Sequence, residues 1–428
     1  MATKVSAAKN GPASESPVAW YGAMTSLQTK TFWAAFGGWA LNSLDFFIFM
    51  FALPAIVVAL DMTRPQAMHI GTATLIASAI GGWVAGIAAD RYGRVKVLQI
   101  TILWFAVFGL LCAIVQDYYQ LMVCRVLMGF GLGGEWAVGA ILIGEVIRRQ
   151  DRGKAVGAMQ SGWAVGWGIA ALIAIFVLVK ARPDIAWRTL LCVGILPAIL
   201  VFFIRRHIEE PKVWLETQKN LRKKKRVADF RGIFSAGMLK TTAITTMLAA
   251  GAQGGYYTSA WLLEFLRDYR RIADMGTGRY IASIIGGAFV GYLISAYLND
   301  RLGRRQTFML FSIGSAISVY VIVWLAANDH GIMFWGFMLS MFASGTFSGI
   351  GSTFTEHFPT HLRGAGQSFS YNAGRLLAAG VPSLLAMLST KTSFNRSIDI
   401  IAITAYALVF IAAWLLEETN GKELSSKV

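Results

Sequence analysis

The chain has 428 residues, of which 56% are hydrophobic and only 14% are charged. Soluble domains average about 45–50% apolar and about 25% charged residues, so this composition excludes a soluble globular protein. The formal net charge is +16, but 10 of the 39 Lys and Arg residues fall between Arg205 and Arg231. Apolar runs flank this stretch, so we interpret it as a basic loop at a membrane surface and expect no nucleic-acid partner.

The cysteines and the first residues of the chain carry little information about function. Cys112, Cys124 and Cys192 all lie inside apolar runs and show no metal-binding spacing, so we predict neither a disulfide framework nor a metal site. We also expect no cofactor. Residues 1–29 are polar and lack the apolar core of a cleavable signal peptide, so we expect the first membrane helix to direct insertion.

Apolar stretches of about 20 residues, long enough to cross a bilayer, recur from end to end. Backbone groups inside lipid must be satisfied within their own segment, so we predict helices and an all-α fold. The twelve predicted spans are residues 32–59, 67–89, 97–115, 119–146, 155–179, 187–205, 235–264, 276–298, 306–327, 331–355, 364–389 and 397–416.

An internal repeat divides the chain into two halves. The sequence Asp-Arg-x-Gly-Arg occurs at 90–94 and again at 300–304, an offset of 210 residues. A second pattern, a glutamate followed seven residues later by Arg-Gly, begins at Glu145 and again at Glu356, an offset of 211. Two motifs with nearly one offset indicate two six-helix halves related by duplication.

The repeat and the basic loop together predict the domain organisation and the orientation. Positive charge favours the cytoplasmic side, so we place both termini and the basic loop there, an assignment that depends mainly on Arg205 to Arg231. The predicted regions are a cytoplasmic N-tail at 1–31, an N-terminal bundle at 32–206, a basic cytoplasmic linker at 207–234, a C-terminal bundle at 235–417 and a C-tail at 418–428.

The twelve spans and the paired Asp-Arg-x-Gly-Arg loops resemble the major facilitator superfamily over nearly the whole chain. Within that superfamily, the sequences at 20–21, 38–46 and 134–135 are similar to those of the sialate and lactate proton symporters and related organic-acid symporters. The resemblance implies alternating access between two rocking halves. It also implies that the cytoplasmic loop motifs latch the outward-facing state and that substrate is held near the midplane.

The charged residues of the two repeated motifs are candidates for gating, because ion pairs at helix ends can form and break as helices slide. The alternative is a static set of charges that fixes topology. The candidate gating residues are Asp90, Arg91, Arg94, Glu145, Arg152, Asp300, Arg301, Arg304, Glu356 and Arg363.

Arg375 is the candidate for binding an anionic substrate. It lies about 17 Å into its helix, near mid-membrane, and no acidic residue shares that helix. Ser368 and Asn372 precede it by seven and three residues, so all three face one way. A planar guanidinium is suited to capture of a carboxylate. The alternative is an ion pair with an acid on another helix, such as Asp45 or Glu135.

Proton coupling is assigned to ionisable residues inside the predicted spans, where charge is costly. Asp45 and Arg125 resemble the acid on helix one and the arginine on helix four that many superfamily symporters pair, and Glu135 is the second candidate proton carrier. The alternative is a fixed structural pair of Asp45 and Arg125. The related symporters tend to have aspartate at Asn42. Either this protein uses one proton-carrying group fewer, or Asn42 stands in place of a natural aspartate.

Amides and aromatic residues at helical spacing predict the wall of a cavity. Gln253, Tyr256 and Tyr257 share one face of the seventh span, and Gln160 shares a face of the fifth with Trp163 and Trp167. Such a mixture is expected where a few directed bonds hold a small polar molecule between apolar walls. Packing alone is the alternative for the two tryptophans.

The sequence therefore predicts a monomeric secondary transporter in the cell inner membrane, surrounded by lipid, which moves a small organic anion together with protons. The anion could be a monocarboxylate, a sialate or an aromatic acid. An enzyme acting within the membrane lacks support, because no nucleophile with a base, metal pair or phosphate loop is evident. A binding receptor is a further alternative. Among transporters, a proton-coupled carrier of neutral sugars or drugs is the second choice, but a neutral ligand leaves Arg375 without a partner.

Overall fold

A computed structural model of the chain describes residues 19–180, 182–225, 228–268, 278–325 and 328–424. Within these residues the structure is helical and contains no strands, which confirms the all-α prediction. In chain order the α-helices are α1 Ala19–Gly22, α2 Ser26–Ala59, α3 Arg64–Tyr92, α4 Arg94–Leu111, α5 Tyr118–Val146, α6 Arg152–Gln160, α7 Gly162–Lys180, α8 Pro183–Cys192, α9 Leu196–His207, α10 Lys212–Lys223, α11 Ala236–Asp268, α12 Gly278–Arg301, α13 Arg304–Tyr320, α14 Asp329–His357, α15 Arg363–Ala378, α16 Val381–Ser389 and α17 Phe394–Leu415.

Twelve crossing segments arise from these helices, six in each half. Among the described residues, nine helical stretches are long and apolar enough to span a membrane. The other three crossings are α11, the pair α8 and α9, and the pair α15 and α16. The last two are interrupted, at residues 193–195 and at residues 379–380, and each second helix has proline in its first turn. Proline is tolerated there because it has no N–H to donate.

Glycine separates the helices at both copies of the Asp-Arg-x-Gly-Arg motif. Gly93 lies between α3 and α4 with a φ of 117°, and Gly303 lies between α12 and α13 with a φ of 97°. These backbone conformations strain any residue with a Cβ. The glycine of each motif therefore makes the tight turn that brings the neighbouring aspartate and arginine together.

The predicted start of the first span changes. Helix α2 begins at Ser26 rather than at 32, because Thr25 and Gln28 form a capping box that starts the helix earlier. The described part of the predicted N-tail, 1–31, therefore includes the first turns of α2, and residues 1–18 lie outside the described residues. The predicted C-tail, 418–428, is described only to residue 424.

The predicted basic linker contains a helix, α10, that packs on the end of α3. Thr217 and Leu221 of α10 are buried. The Trp214 indole N–H and the Gln218 amide donate to the Asp90 carbonyl oxygen at 3.1 and 2.8 Å. These contacts satisfy an orphan carbonyl at a helix C-terminus. The linker thus lies against the N-terminal half beside the repeated motif, while residues 226–227 are outside the described part.

Glycines allow the two halves to meet closely on the side of the linker. Gly86 of α3 packs against the Gly364 carbonyl at the start of α15, and Gly157 of α6 packs against Ala296 of α12. Missing side chains permit such close helix approach. The halves are therefore closed against each other on the side where both repeated motifs lie.

Candidate functional site

A cavity of about 330 Å³ lies between the two halves and is lined by residues of both. That volume falls in the range of about 300–1,000 Å³ typical of small-molecule sites. Met50 of α2 and Gly71 of α3 line it and are exposed, and both lie toward the helix ends opposite the repeated motifs. The cavity is thus accessible from the side away from the linker.

Arg375 of α15, the predicted anion-binding residue, lines this cavity. Its Nη1 donates a 2.6 Å hydrogen bond to the Ser78 hydroxyl of α3, and its guanidinium lies 5.1 Å from the Tyr371 ring centroid. Among the side chains that the structure describes, no carboxylate forms an ion pair with Arg375. The acids that were the alternative partners are engaged elsewhere, Asp45 with Arg125 at 3.7 Å and Glu135 with an amide.

Ser368 and Asn372 do not accompany Arg375 in the cavity lining, which differs from the prediction. They are buried against α3, Ser368 beside Gly86 and Asn372 beside Gly82. The Asn372 amide donates to the Ser368 carbonyl at 2.9 Å. The reason is geometric: Ser368 is nearly two turns from Arg375, about 10 Å along the helix, where the halves are already in contact.

Asp45 and Arg125 are paired deep in the N-terminal half, as the resemblance implied. The Asp45 Oδ2 lies 3.7 Å from the Arg125 Nη1, and the two side chains are only 5% and 3% exposed. The same Nη1 donates to the Met128 sulfur at 3.1 Å, and the guanidinium lies 3.8 Å from the Phe49 ring centroid. Arg125 also lines the cavity, so this ion pair is adjacent to the space that a substrate would occupy.

Glu135 is a buried carboxylate with an amide, rather than a cation, as its neighbour. It is 1% exposed, and the Asn42 Nδ2 donates to its Oε2 at 3.3 Å. The same Nδ2 lies 3.2 Å from the Leu132 carbonyl oxygen. No cation among the described side chains forms an ion pair with Glu135. Burying a charge without such a partner is costly, so the charge of Glu135 is compensated less than that of Asp45, which has Arg125 beside it.

An aromatic and amide layer joins the halves at the base of the cavity. The rings of Trp136 and Tyr371, from α5 and α15, stack with centroids 3.6 Å apart. Gln160 of α6 accepts from the Trp136 indole at 2.9 Å and donates to the Phe347 carbonyl of α14 at 3.1 Å. Its amide therefore bonds to protein on both sides, and Gln160 lines the cavity as part of its base.

The other predicted lining residues lie in the cavity wall. Gln253, Tyr256 and Tyr257 of α11 all line it, and the Gln253 amide also donates to the Tyr371 carbonyl at 2.8 Å. The two tryptophans predicted to share this wall have different environments. Trp163 lines the cavity, whereas the Trp167 ring stacks on the Phe47 ring at 4.5 Å and is a packing residue.

The charges of the first motif form a network that crosses between the halves. Arg94 pairs with Asp90 at 2.9 Å and with Glu145 at 3.1 Å, and Arg363 of the other half pairs with Glu145 at 2.5 Å. These side chains are almost completely buried. Buried pairs depend on good geometry and additional hydrogen bonds, so separating the halves breaks contacts that are hard to replace.

The second motif repeats this network with the halves exchanged. Arg304 pairs with Asp300 at 2.6 Å and with Glu356 at 2.9 Å, and Arg152 of the N-terminal half pairs with Glu356 at 3.0 Å. The spacing of seven residues in the sequence predicts that Glu145 pairs with Arg152 and Glu356 with Arg363, each within its own half. In the structure each glutamate pairs instead with the arginine of the other half. The reason is that Arg152 and Arg363 each lie at the start of a helix that packs against the opposite half.

Each motif aspartate also caps a helix of the other half. Asp90 accepts hydrogen bonds from the backbone N–H groups of Gly364 and Ala365, both at 2.8 Å. Asp300 accepts from those of Gly153 and Lys154 at 2.9 and 2.7 Å. A carboxylate at a helix N-terminus is favoured by orphan N–H groups and by the helix dipole. The aspartates therefore hold the halves together by direct hydrogen bonds.

Two predicted gating residues lie outside these networks. Arg91 and Arg301 are exposed; Arg91 lies over the Tyr92 ring and Arg301 donates to the Tyr297 hydroxyl. An arginine next to each motif aspartate in sequence points away from it, since consecutive residues of a helix do not share a face.

Sequence reasoning missed Ser78 and Tyr371, which contact Arg375, although a signal for Ser78 was present. Thr74, Ser78, Gly82 and Gly86 are small residues four apart on α3, which marks a face of close helix contact. Phe347 of α14, which was not among the predicted site residues, also lines the cavity. Tyr371 had no comparable signal, because its neighbour Trp136 belongs to the other half.

Comparison with known proteins agrees with this architecture. The Major Facilitator Superfamily profile matches residues 35–382 and 275–427. The chain is 37% identical over 403 residues to the probable 4-methylmuconolactone transporter of Cupriavidus pinatubonensis, covering 94% of each. It is 28% identical over 395 residues to the cis,cis-muconate transport protein of Acinetobacter baylyi, covering 90% of this chain and 93% of that protein.

A solved structure shares the fold. The proton:xylose symporter XylE bound to 6-bromo-6-deoxy-D-glucose matches with a TM-score of 0.78 at 16% identity, over 93% of this chain and 98% of that chain. The family and the relatives are transporters rather than enzymes, and the organic-acid branch that the sequence resembled is confirmed. The protein is an integral membrane protein, and the chain belongs to the Major Facilitator Superfamily.

Proposed function

We propose that this transporter is a proton-coupled symporter of a small organic anion and works by alternating access. The observation that carries the proposal is the position of Arg375. Its guanidinium lies in the lining of the cavity between the halves, and its hydrogen-bond partner is the neutral Ser78 hydroxyl. A guanidinium in such a site favours a carboxylate, which offers two charged acceptors to its planar fork.

The wall of the cavity supports an organic rather than an inorganic anion. Trp163, Tyr256 and Phe347 supply aromatic surface from both halves, which suits an apolar molecular body. The relatives named for 4-methylmuconolactone and cis,cis-muconate support the same class of substrate.

Alternating access is supported by the two exchanged charge networks. They close the halves on the side of the basic linker, while the cavity is accessible from the other side. With the linker and both termini in the cytoplasm of a cell whose inner membrane holds the protein, this structure is the outward-open state. Opening to the cytoplasm then requires Arg363 to leave Glu145 and Arg152 to leave Glu356, along with release of the capping contacts of Asp90 and Asp300.

Proton coupling is assigned to Asp45 and Glu135. Asp45 has a cation partner in Arg125, whereas Glu135 has only the Asn42 amide. The two acids thus differ in how their charge is compensated, and a rocking motion that alters either neighbourhood alters the proton affinity of that acid. Asn42 itself cannot titrate, and its role is to hold Glu135 by a hydrogen bond.

Uptake by purified protein in proteoliposomes tests this function. With an acidic exterior, benzoate, lactate, sialate and cis,cis-muconate are offered in turn, with xylose as the neutral comparison. We expect accumulation of at least one anion, and we expect a proton-conducting uncoupler to abolish it. Uptake of xylose alone would replace this proposal with the neutral-solute alternative, and uptake of an anion that ignores the pH gradient would remove the proton coupling.

A further inference from the structure

We propose that the substrate is a dicarboxylate of about four to six carbon atoms, with one carboxylate held by Arg375 and the other by Arg125. This inference rests on the proposed function and specifies its substrate class. Both arginines line the same cavity, one from each half. A dianion bound this way bridges the two halves of the transporter.

Arg125 has hydrogen-bonding capacity that the protein leaves unused. It is 3% exposed, and its Nε has no acceptor among the described residues. Within the described part of the chain, its hydrogen bond goes to the Met128 sulfur, a weak acceptor. The Asp45 oxygen at 3.7 Å is beyond hydrogen-bonding distance. Unmet donors on a buried cation are costly, and a carboxylate that enters the cavity supplies acceptors for them.

The packing of α3 against α5 gives the spacing of the two arginines. Gly129 lies against Thr74 and Gly133 against Ser78, whereas Gly81 lies against Phe130, so the two helices run parallel with an offset of about 49–55 residues. Arg125 is therefore level with the stretch 70–76 of α3.

Arg375 is fixed at the level of Ser78 by its hydrogen bond. Residue 70, the far end of that stretch, is eight residues from Ser78, so the Arg125 backbone and the Arg375 guanidinium are at most about 12 Å apart along the axis. Two N–H···O bonds occupy about 6 Å of that distance. At most about 6 Å remains, which suits a short dicarboxylate rather than a long one, whereas a monocarboxylate reaches only one of the two arginines.

Asp45 is the protein acid that competes with the substrate for Arg125. The second carboxylate of the substrate and the Asp45 carboxylate both favour the same guanidinium. Because Asp45 is 3.7 Å from Arg125, a substrate carboxylate can bind the guanidinium more closely than Asp45 does. Under the proposed function, a proton on Asp45 removes this competition. Protonation of Asp45 and binding of the substrate to Arg125 then favour each other, which couples substrate entry to proton entry.

A binding series on the wild-type protein in detergent, measured by calorimetry at one pH, tests the inference. The ligands are succinate, adipate, sebacate and hexanoate. We expect succinate or adipate to bind at least about tenfold more tightly than hexanoate, since a second charged contact is gained. Sebacate is expected to bind more weakly than the better of the two short dicarboxylates, because it is too long.

Variants of the two arginines test which residue causes the preference for dicarboxylates over hexanoate. Arg125→Gln is expected to weaken adipate binding more than hexanoate binding and so to abolish the preference, whereas Arg375→Gln weakens both. Arg396→Gln, which removes an exposed arginine at the outer end of α17, is the matched control. The wild-type series decides the matter even if a variant fails to fold.

Two outcomes overturn the inference, and they are distinguishable. Equal affinity for hexanoate and every dicarboxylate removes the second contact but leaves the proposed organic-anion function intact. Binding of none of these acids, combined with uptake of neutral solutes alone, removes the proposed function as well.

Discussion

The guanidinium of Arg375 in α15 and the hydroxyl of Ser78 in α3 are joined by a 2.6 Å hydrogen bond across the interface between the two halves. The bond places a cation of the C-terminal half against the N-terminal half beside the cavity. A substrate carboxylate that binds Arg375 therefore acts on the contact between the halves, which is where alternating access requires its effect.

Ser78→Ala tests whether this serine holds the arginine or contacts the substrate itself. A hydroxyl that accepts from a cation contributes about 1.5–3 kcal/mol, but the arginine retains its other donors. We expect anion uptake to persist with the KM changed by no more than about tenfold. Ser389→Ala, at a half-buried serine at the end of α16 far from Arg375 in the chain, is the control. Complete loss of uptake would show instead that Ser78 is indispensable for substrate binding.

Asp90→Asn tests the latch. The amide cannot accept at both positions and loses the ion pair with Arg94, so we expect the population to shift toward the cytoplasm-open state. Spin labels at Arg91 and Arg301, which are exposed on opposite halves, report the distance across the closed side. The mean label distance should increase in Asp90→Asn and in Asp300→Asn. Asp61→Asn, in an exposed turn on the opposite side, should leave the distance unchanged; a static topology-setting role predicts no change in any of the three.

Gly86→Ala tests the close contact between α3 and α15. A Cβ at this position meets the Gly364 carbonyl and the Ser368 side chain, and overpacking costs about 1–3 kcal/mol. We expect the closed population to fall at least about fivefold, as measured with the same pair of spin labels. Gly237→Ala, where a Cβ meets nothing within 4 Å, is the control. An unchanged distance distribution for Gly86→Ala would contradict the role of this contact.

Substitutions of the buried acids test proton coupling. Glu135→Gln and Asp45→Asn each remove a titratable group, so we expect pH-driven accumulation to be lost while exchange of anion across the membrane continues. Asn42→Asp places a second carboxyl beside Glu135, and two such groups share a proton because both cannot ionise at that distance. We therefore expect Asn42→Asp to make transport depend more steeply on pH. Accumulation that survives in Glu135→Gln would exclude that residue as the carrier.

The environment of His361, in the loop between α14 and α15, leads us to predict that stability depends on pH. Burial, with Arg363 nearby, holds the pKa of His361 below its usual range. The unfolded chain then binds the proton more readily, so this contribution to the free energy of unfolding is present above about pH 6.5 and declines as the pH falls through the lower folded pKa. We expect His361→Gln to reduce the loss of Tm between about pH 7.5 and about pH 5.5. The exposed His69→Gln serves as control, and an equal loss of Tm in all three proteins contradicts the assignment.

Much of the fold was accessible from the sequence because its causes are local. Bilayer thickness sets the length of the apolar runs, and duplication repeats the glycine that turns the chain after each motif, so the segments and the halves could both be predicted. The start of α2 at Ser26 was missed because the capping box at Thr25 lies in a polar stretch. Helix α10 was missed because its apolar face is narrow and its composition is basic.

The site was less predictable because it is assembled from both halves. Repeats within the sequence indicate which charges are equivalent but not that Glu145 pairs with Arg363 rather than with Arg152. Helical periodicity places Ser368 and Asn372 on the face of Arg375, yet it contains no information about where along that face the halves meet. By contrast, the Asp45 and Arg125 pair could be anticipated from the family resemblance, since it lies within one half.

Uptake of an organic anion by Arg375→Lys in proteoliposomes is the decisive experiment on substrate binding. Lysine keeps the charge but cannot form the planar fork, so we expect initial uptake to fall at least about tenfold below wild type. Arg396→Lys should transport normally under the same conditions. Uptake by Arg375→Lys equal to that of the wild type would contradict the claim that this guanidinium binds the carboxylate of the cargo.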